Sequence, residues 1–453
     1  MTLPDLDLRV LQTGASSPFV EVACVIDHAW QASLMGGWIL TAVQLLAAAA
    51  LLYAIGWRRR RWRTMWVPLS VVVGALTATL AYWYFSTLGI ASEPAPWQMW
   101  LWVALVGVAT AVAITGWRSA GWWRRNVSVF AASFCMLSMG LTINAWLGYF
   151  PTVDTAWSQL TNRPLPNQVD PQTVQSLKHR AIAPRRGVVV PVDTGDRGSG
   201  FKHRQEWVYL PPAWFASTPA PRLPAVLMIG GEFNTPADWA RAGDAVTALD
   251  AFAAAHAGVA PVAVFADATG GFTVDTECVN GPRGNAADHL TADVIPEVSR
   301  QFGLGDQASW GIVGFSSGGT CAVDFAVMHP GTISAFVDIG GDIGPNAGTR
   351  AQTIDRLYGG DAAAWSWFDP STAIARHGPY NNLSGMFAVP GAAVGQAAAE
   401  SLCALGTANG ISCQVVALPG KHDWPSAAHA FAATLPWLAD RLGTPPLTSA
   451  VAQ

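Results

Sequence analysis

From Trp310 the chain reads WGIVGFSSGGTCAVDFAVMHP, and Ser316 stands there inside Gly314-Phe315-Ser316-Ser317-Gly318. A serine hydroxyl attacks a carbonyl only if a base takes its proton and donors receive the oxyanion that forms. The G-x-S-x-G pattern suits that task. It places serine on a sharp strand-to-helix turn, in a strained backbone region, between residues small enough for strand and helix to pass closely. The base is sought among nine histidines. His422, in KHDWP, directly follows the late apolar run CQVVALPG, whereas His289, His329, His377 and His429 read as helical or linker residues. Two backbone amides are the expected oxyanion donors. One is that of Ser317, directly after the nucleophile. The other is that of Glu232, in LMIGGEFNTPADW, where Gly230-Gly231 ends a strand.

A histidine used this way needs a carboxylate to hold its tautomer. The loop PGAAVG after the penultimate strand has none, and the next acid, Glu400, lies well into the following helix. The preceding strand ends in VDIGGDIGPN, which supplies Asp338 and Asp342. Asp342 is the expected acid. A further loop, FADATGGFTVDTECVNGPRG, brings Asp267, Asp275 and Glu277 to the same rim, either to border a polar substrate or as a solvated loop.

The elements that must position these residues are legible from about residue 187 onward. Short β-rich runs (GVVVPV, EWVYLPP, PAVLMIG, PVAVFAD, WGIVGF, SAFVDIGG, GMFAVPG and CQVVALPG) alternate with alanine-rich helical stretches. Strands alternating with helices predict a mostly parallel sheet covered on both faces.

The N-terminal third is different. The chain has 453 residues, 51% hydrophobic and only 12% charged, and the apolar excess lies before residue 150. Four apolar stretches, 34–56, 65–88, 97–116 and 127–148, each approach the ~20 residues that span a bilayer as a helix. Tryptophans rim them, as amphipathic rings favour the headgroup region. The first 30 residues lack a basic start followed by an apolar core, so no cleavable signal peptide is expected. Arginines concentrate in WRRRRWR and WRSAGWWRR, while the loop between them, GIASEPAP, has no basic residue. Under the positive-inside rule both basic loops face the cytoplasm and both termini lie outside. The expected organisation is therefore an extracytoplasmic segment 1–33, four transmembrane helices in 34–150, a linker 151–186, a catalytic domain 187–443 and a tail 444–453.

Net charge is only −4, which excludes an electrostatic nucleic-acid binder. Few charges within the spans argue against a transporter or channel. Of six cysteines, Cys24 and Cys135 read as free thiols. Cys278, Cys321, Cys403 and Cys413 fall where disulfides persist, and Cys403 and Cys413 are close enough in the chain to meet. No C-x-x-C or zinc-spaced histidine pair occurs, so neither a metal nor another cofactor is expected.

The ordered set IGGEF, GFSSGG and GKHDW, with DHLTADVIPEVSRQFG before the nucleophile strand, resembles the putative-esterase group of α/β-hydrolases. That group includes esterase D and the antigen 85 mycolyltransferases. The resemblance covers roughly 187–443 and implies an α/β-hydrolase fold with a serine acyl-enzyme. The group normally places its acid after the seventh strand, where this chain has none. Together these readings predict a membrane-anchored serine esterase or acyltransferase outside the cytoplasmic membrane, acting on an ester such as an envelope lipid or glycolipid. The alternative is a catalytically inactive hydrolase domain serving as an envelope scaffold or binding module.

Overall fold

A computed structural model describes residues 29–88, 95–272, 274–304, 310–391 and 395–444. Cys24, the loop residues 392–394 and most of the predicted segments 1–33 and 444–453 lie outside the described residues.

Four apolar helices come first: α1 (Trp38–Ala54), α2 (Val67–Leu88), α3 (Trp97–Gly116) and α4 (Trp122–Leu147). A π turn, Trp62–Trp66, leads into α2. Three of these helical stretches, Trp62–Thr87, Trp97–Gly116 and Trp122–Leu147, are long and apolar enough to cross a membrane. The first, α1, has 17 residues, about 25 Å at 1.5 Å per residue. It packs along α4, as α2 packs along α3. Ala47, Leu51, Ala131 and Cys135 fill the seam between α1 and α4 and its surroundings, while Leu45, Leu46, Leu76, Leu80, Ile114 and Phe130 stay exposed.

The fourth helix starts five residues before the predicted span. Trp122, Trp123, Arg124 and Arg125 are helical rather than loop, because nothing in them breaks a helix and their polar ends can extend beyond an apolar layer. Arg124 then reaches the C-terminal end of α1. Its Nη2 and Nε donate to the Ala54 carbonyl at 3.2 and 3.3 Å, and its guanidinium lies 5.5 Å from the Trp62 ring centroid. A cation there opposes the negative end of the helix dipole. At the other end of the bundle, the Leu34 amide donates to the Pro151 carbonyl (3.0 Å) and Val153 to Ala32 (3.1 Å).

Residues 151–186, expected as a linker or docking segment, are ordered against the domain that follows. Two short helices, Val153–Leu160 and Pro171–His179, are capped by Thr152 and Asp170. Beyond them an eight-stranded sheet forms from β1 (Val188–Val192), β2 (Glu206–Leu210), β3 (Ala225–Ile229), β4 (Val262–Ala266), β5 (Trp310–Phe315), β6 (Ile333–Ile339), β7 (Ser384–Pro390) and β8 (Ser412–Leu418). Their order is β1-β2-β4-β3-β5-β6-β7-β8, with β2 antiparallel to both neighbours and the rest parallel. All eight runs read from the sequence are strands. β3, β4 and β5 are buried throughout, which is why they read as unbroken apolar runs. Side chains alternate between two cores: Leu227 and Ile229 enter one, Val226 and Met228 the other.

The flanking helices that matter below are α5 (Ala245–Ala255), α6 (Ile295–Phe302), α7 (Ser317–Met328), α8 (Gln396–Ala408) and α9 (Trp424–Arg441). Residues 286–302 are helical throughout, with a π turn, His289–Val294, inside the run.

Two disulfides tie this domain. Cys403–Cys413 closes the short connection between α8 and β8. Cys278–Cys321, a pairing the spacing did not single out, spans 43 residues and fastens the acidic loop to α7. Replacing both Cys278 and Cys321 with serine is expected to lower stability by about 2–4 kcal/mol, because the unfolded chain regains the entropy of that loop. The urea midpoint for loss of active-site probe labelling, measured in detergent, would report it. An unchanged midpoint would deny the bond a structural part.

Candidate active site

Ser316 closes β5 and opens α7 with φ 59° and ψ −127°, a conformation that costs a non-glycine residue of order 1–3 kcal/mol. The turn holds it there. Its amide donates to the Ile339 carbonyl (3.0 Å), and its carbonyl accepts from Gly319 (2.7 Å) and Thr320 (3.2 Å). The flanking glycines follow from close approach. A Cβ on Gly314 would overlap the Gly318 carbonyl oxygen, and one on Gly318 would overlap that of Ile229.

His422 follows the C-terminal end of the edge strand β8. Asp423 caps α9 by accepting from the Ser426 amide (3.0 Å), and the Ser426 hydroxyl accepts from the Lys421 amide (2.9 Å). These bonds pin the turn on both sides of His422. Its ring lies 5.0 Å from that of Phe315, and its Nε2 sits 2.9 Å from Oγ of Ser316. The Nδ1 side faces the end of β6: a Cβ on Gly340 would stand 3.1 Å from that nitrogen.

The expected oxyanion loop comes equally close. A Cβ on Gly231 would lie 2.8 Å from Cβ of Ser316. Glu232 follows it, and Phe233 has φ 65°. Ser317, as first residue of α7, has an amide without an intrahelical acceptor.

Two cavities meet at Ser316. One, of about 80 Å³, is bounded by Trp146, Leu147, Phe233, Phe315, His422 and Trp424, with Tyr149, Gly231, Glu232 and Asn234 completing it. The other, about 30 Å³, is lined by Glu232, Asp275, Glu277, Ser317, Asp342 and Asn346 beside Ser316 and Gly340. The three acids considered for the triad separate here. Asp342 faces this polar cavity, its amide bonded to Thr320 Oγ1 (2.9 Å) and its carboxylate 3.5 Å from Asn346 Nδ2. Asp338 is buried beneath the turn, where its carboxylate accepts from the Gly341 amide at 2.7 Å. Burial pushes its pKa up to about 7, against that hydrogen bond and with help from the Asp342 charge. Glu400 is exposed and bonded to Gln396 (2.8 Å).

The loop read as a substrate rim or a solvated loop divides in two. Asp275 and Glu277 are buried on the polar cavity. Burial first, then the charges of Asp275, Glu232 and Asp342, hold the Glu277 carboxyl well above the usual range. Asp267 is not on the rim. It is 1% exposed and takes Arg204 Nη2 at 2.6 Å and Nε at 3.0 Å. Burial opposes its ionisation, but these bonds and the Arg204 charge outweigh it and lower the pKa. A strand-end aspartate beside an arginine is drawn into that pair rather than left to solvent.

Sequence reasoning missed two groups. One is a clamp on Asp238: Tyr149 Oη donates to it at 2.6 Å, Gln159 Nε2 at 3.1 Å and the Thr235 hydroxyl at 3.0 Å. It joins the end of α4 to the loop after β3. The other gathers His203, Glu206 and His289, whose ligand-type atoms lie within 4.8 Å of one another. These atoms already serve each other. His289 Nε2 meets Glu206 at 3.2 Å and Nδ1 meets Asp293 at 3.3 Å. Burial would lower the His289 pKa, yet Glu206 and Asp293 raise it overall. Nothing in local spacing signals either group, because each joins segments some 80 residues apart.

The sheet order and the strained serine turn together make an α/β-hydrolase fold. No family model matches the chain. Among curated proteins, an uncharacterised protein of Corynebacterium glutamicum is 28% identical over 424 residues, 89% of this chain and 96% of that protein. An alignment of that extent takes in residues of both the helical bundle and the sheet domain. Solved structures are similar too, among them the following three. A ferulic acid esterase is 16% identical, with TM-score 0.44, over 56% of this chain and 98% of its own. An S-formylglutathione hydrolase from Agrobacterium tumefaciens is 16% identical, with TM-score 0.46, over 57% and 97%. Mycobacterium tuberculosis MPT51 is 19% identical, with TM-score 0.39, over 53% and 94%.

Proposed function

We propose that the chain is a serine ester hydrolase or acyltransferase anchored in the cytoplasmic membrane, with its catalytic domain outside. One observation carries the chemistry: His422 Nε2 at 2.9 Å from the hydroxyl of a serine on a strained strand-to-helix turn. Oγ of Ser316 bonds to the ester carbonyl carbon while its proton passes to Nε2. The amides of Ser317 and Glu232 receive the oxyanion. As it collapses, the bond to the alcohol breaks and the alcohol leaves with the proton from Nε2. Water or a second alcohol then attacks the acyl-enzyme, returning a proton through His422 to Oγ. Asp342 is the acid in this reading. Its loop also lays Gly340 against Nδ1, whereas Asp338 is committed to Gly341 and Glu400 faces solvent.

The anchoring rests on three exposed apolar helices, and on a fourth, α1, that packs along α4. Because Leu34 bonds Pro151, the bundle begins and ends at one side, as an even number of crossings requires. The arginine-rich loops meet at the opposite end, which supports a cytoplasmic position for them. Two disulfides in the sheet domain favour an oxidising compartment. With Cys24 and Cys135 replaced by alanine, an impermeant maleimide should label Asp361→Cys on intact cells but Arg60→Cys only after permeabilisation. The reverse pattern would invert the topology.

A further inference from the structure

The larger cavity at Ser316 is not built by the sheet domain alone. Trp146 and Leu147, the last residues of the apolar helix α4, form part of its wall, facing Phe233, Phe315 and Trp424. That helix end is fastened to the site at three points. The Trp424 amide lies 3.4 Å from the Gly148 carbonyl, directly after His422 and Asp423. Gly148 packs so tightly on Asp423 that a Cβ would overlap the aspartate Cβ. Tyr149 is held by Asp238. On the other side of Ser316 the wall is carboxylate-rich. The nucleophile thus divides a mixed chamber, apolar where Trp146, Leu147, Phe233, Phe315 and Trp424 line it, from a carboxylate-rich one, with Glu232 bordering both.

We infer that the end of α4 is part of the acyl-binding site, and that the substrate is a long-chain acyl ester taken from the leaflet in which α4 ends. The acyl chain lies in the chamber of Trp146 and Leu147, with its alcohol on the side of Asp275 and Glu277. The same helix carries Phe130, Met136 and Leu137 exposed along its length. At about 80 Å³ the chamber takes only the first carbons of a long chain, so the rest must extend beyond it, whereas an ester bound the other way round would press its chain against carboxylates, at the cost of burying them without water. This inference rests on the ester-cleaving reading above.

The test uses the full chain in phosphatidylcholine–phosphatidylglycerol vesicles and a long-chain alkyl fluorophosphonate carrying a diazirine in its chain. After irradiation and digestion, phosphonate is expected on Ser316 and the cross-link on the peptide containing Trp146–Tyr149. In parallel, Trp146→Ala and Leu147→Phe are expected to lower the ratio of kcat/KM for decanoyl over acetyl aryl esters by about tenfold. A cross-link on the Asp275–Glu277 loop, or an equal loss for both chain lengths, overturns the acyl-site assignment alone. Absence of phosphonate from Ser316 in the unaltered protein overturns the reading beneath it.

Discussion

Ser316→Ala is expected to abolish covalent labelling by a fluorophosphonate and to lower turnover of short-chain aryl esters by about 10⁵–10⁶-fold. The size follows from the geometry. With Oγ gone, His422 has no hydroxyl to deprotonate at 2.9 Å, and an acyl-enzyme cannot form. Alanine should keep the turn, since the hydrogen bonds that hold residue 316 run through its backbone amide and carbonyl. The unfolding midpoint should therefore stay close to that of the unaltered protein. His422→Ala should cost nearly as much, and the double variant little more, because the pair acts as a unit. Full labelling of Ser316→Ala would remove Ser316 from this role.

The acid gives the second large effect. Asp342→Asn should lower kcat by about 10³–10⁴-fold while leaving KM for a short ester near its original value, since an acid of this kind orients the histidine rather than binding substrate. Glu400→Gln should change neither constant appreciably, because that side chain is exposed and bonded only to its helical neighbour Gln396 among the described residues. Asp338→Asn is the informative control. Its carboxylate supports the Gly341 amide at the root of the same loop, so its loss should show in stability as well as rate. A rate for Asp342→Asn equal to that of the unaltered protein would sink the assignment.

The strands were legible because a parallel sheet buried on both faces needs unbroken apolar runs, and β3, β4 and β5 contain little else. The Ser316 turn was legible for a different reason: its glycines are required within five residues of each other, so the constraint is local. Where a constraint is distant, local reading fails. Asp267 reads as a rim residue because its partner Arg204 lies 63 residues away. The bond between Cys278 and Cys321 depends on a loop folding back over α7, which no spacing rule describes. The Asp238 clamp joins segments that the sequence assigns to a span, a linker and a loop. Its polar partners look like ordinary surface residues until the end of α4 comes down beside β3.

The Cys278–Cys321 bond also sets an order of events. It joins the helix that begins at the nucleophile to the loop that supplies Asp275 and Glu277. In a reducing cytosol that loop would have no covalent hold, and two buried acids would have to be kept in place by weak contacts alone. For an enzyme exported as proposed, the polar half of the site then matures only after the chain has crossed the bilayer and met an oxidant. A newly made molecule would remain a poor catalyst among cytosolic esters, and gain its full pocket only in the compartment where it works.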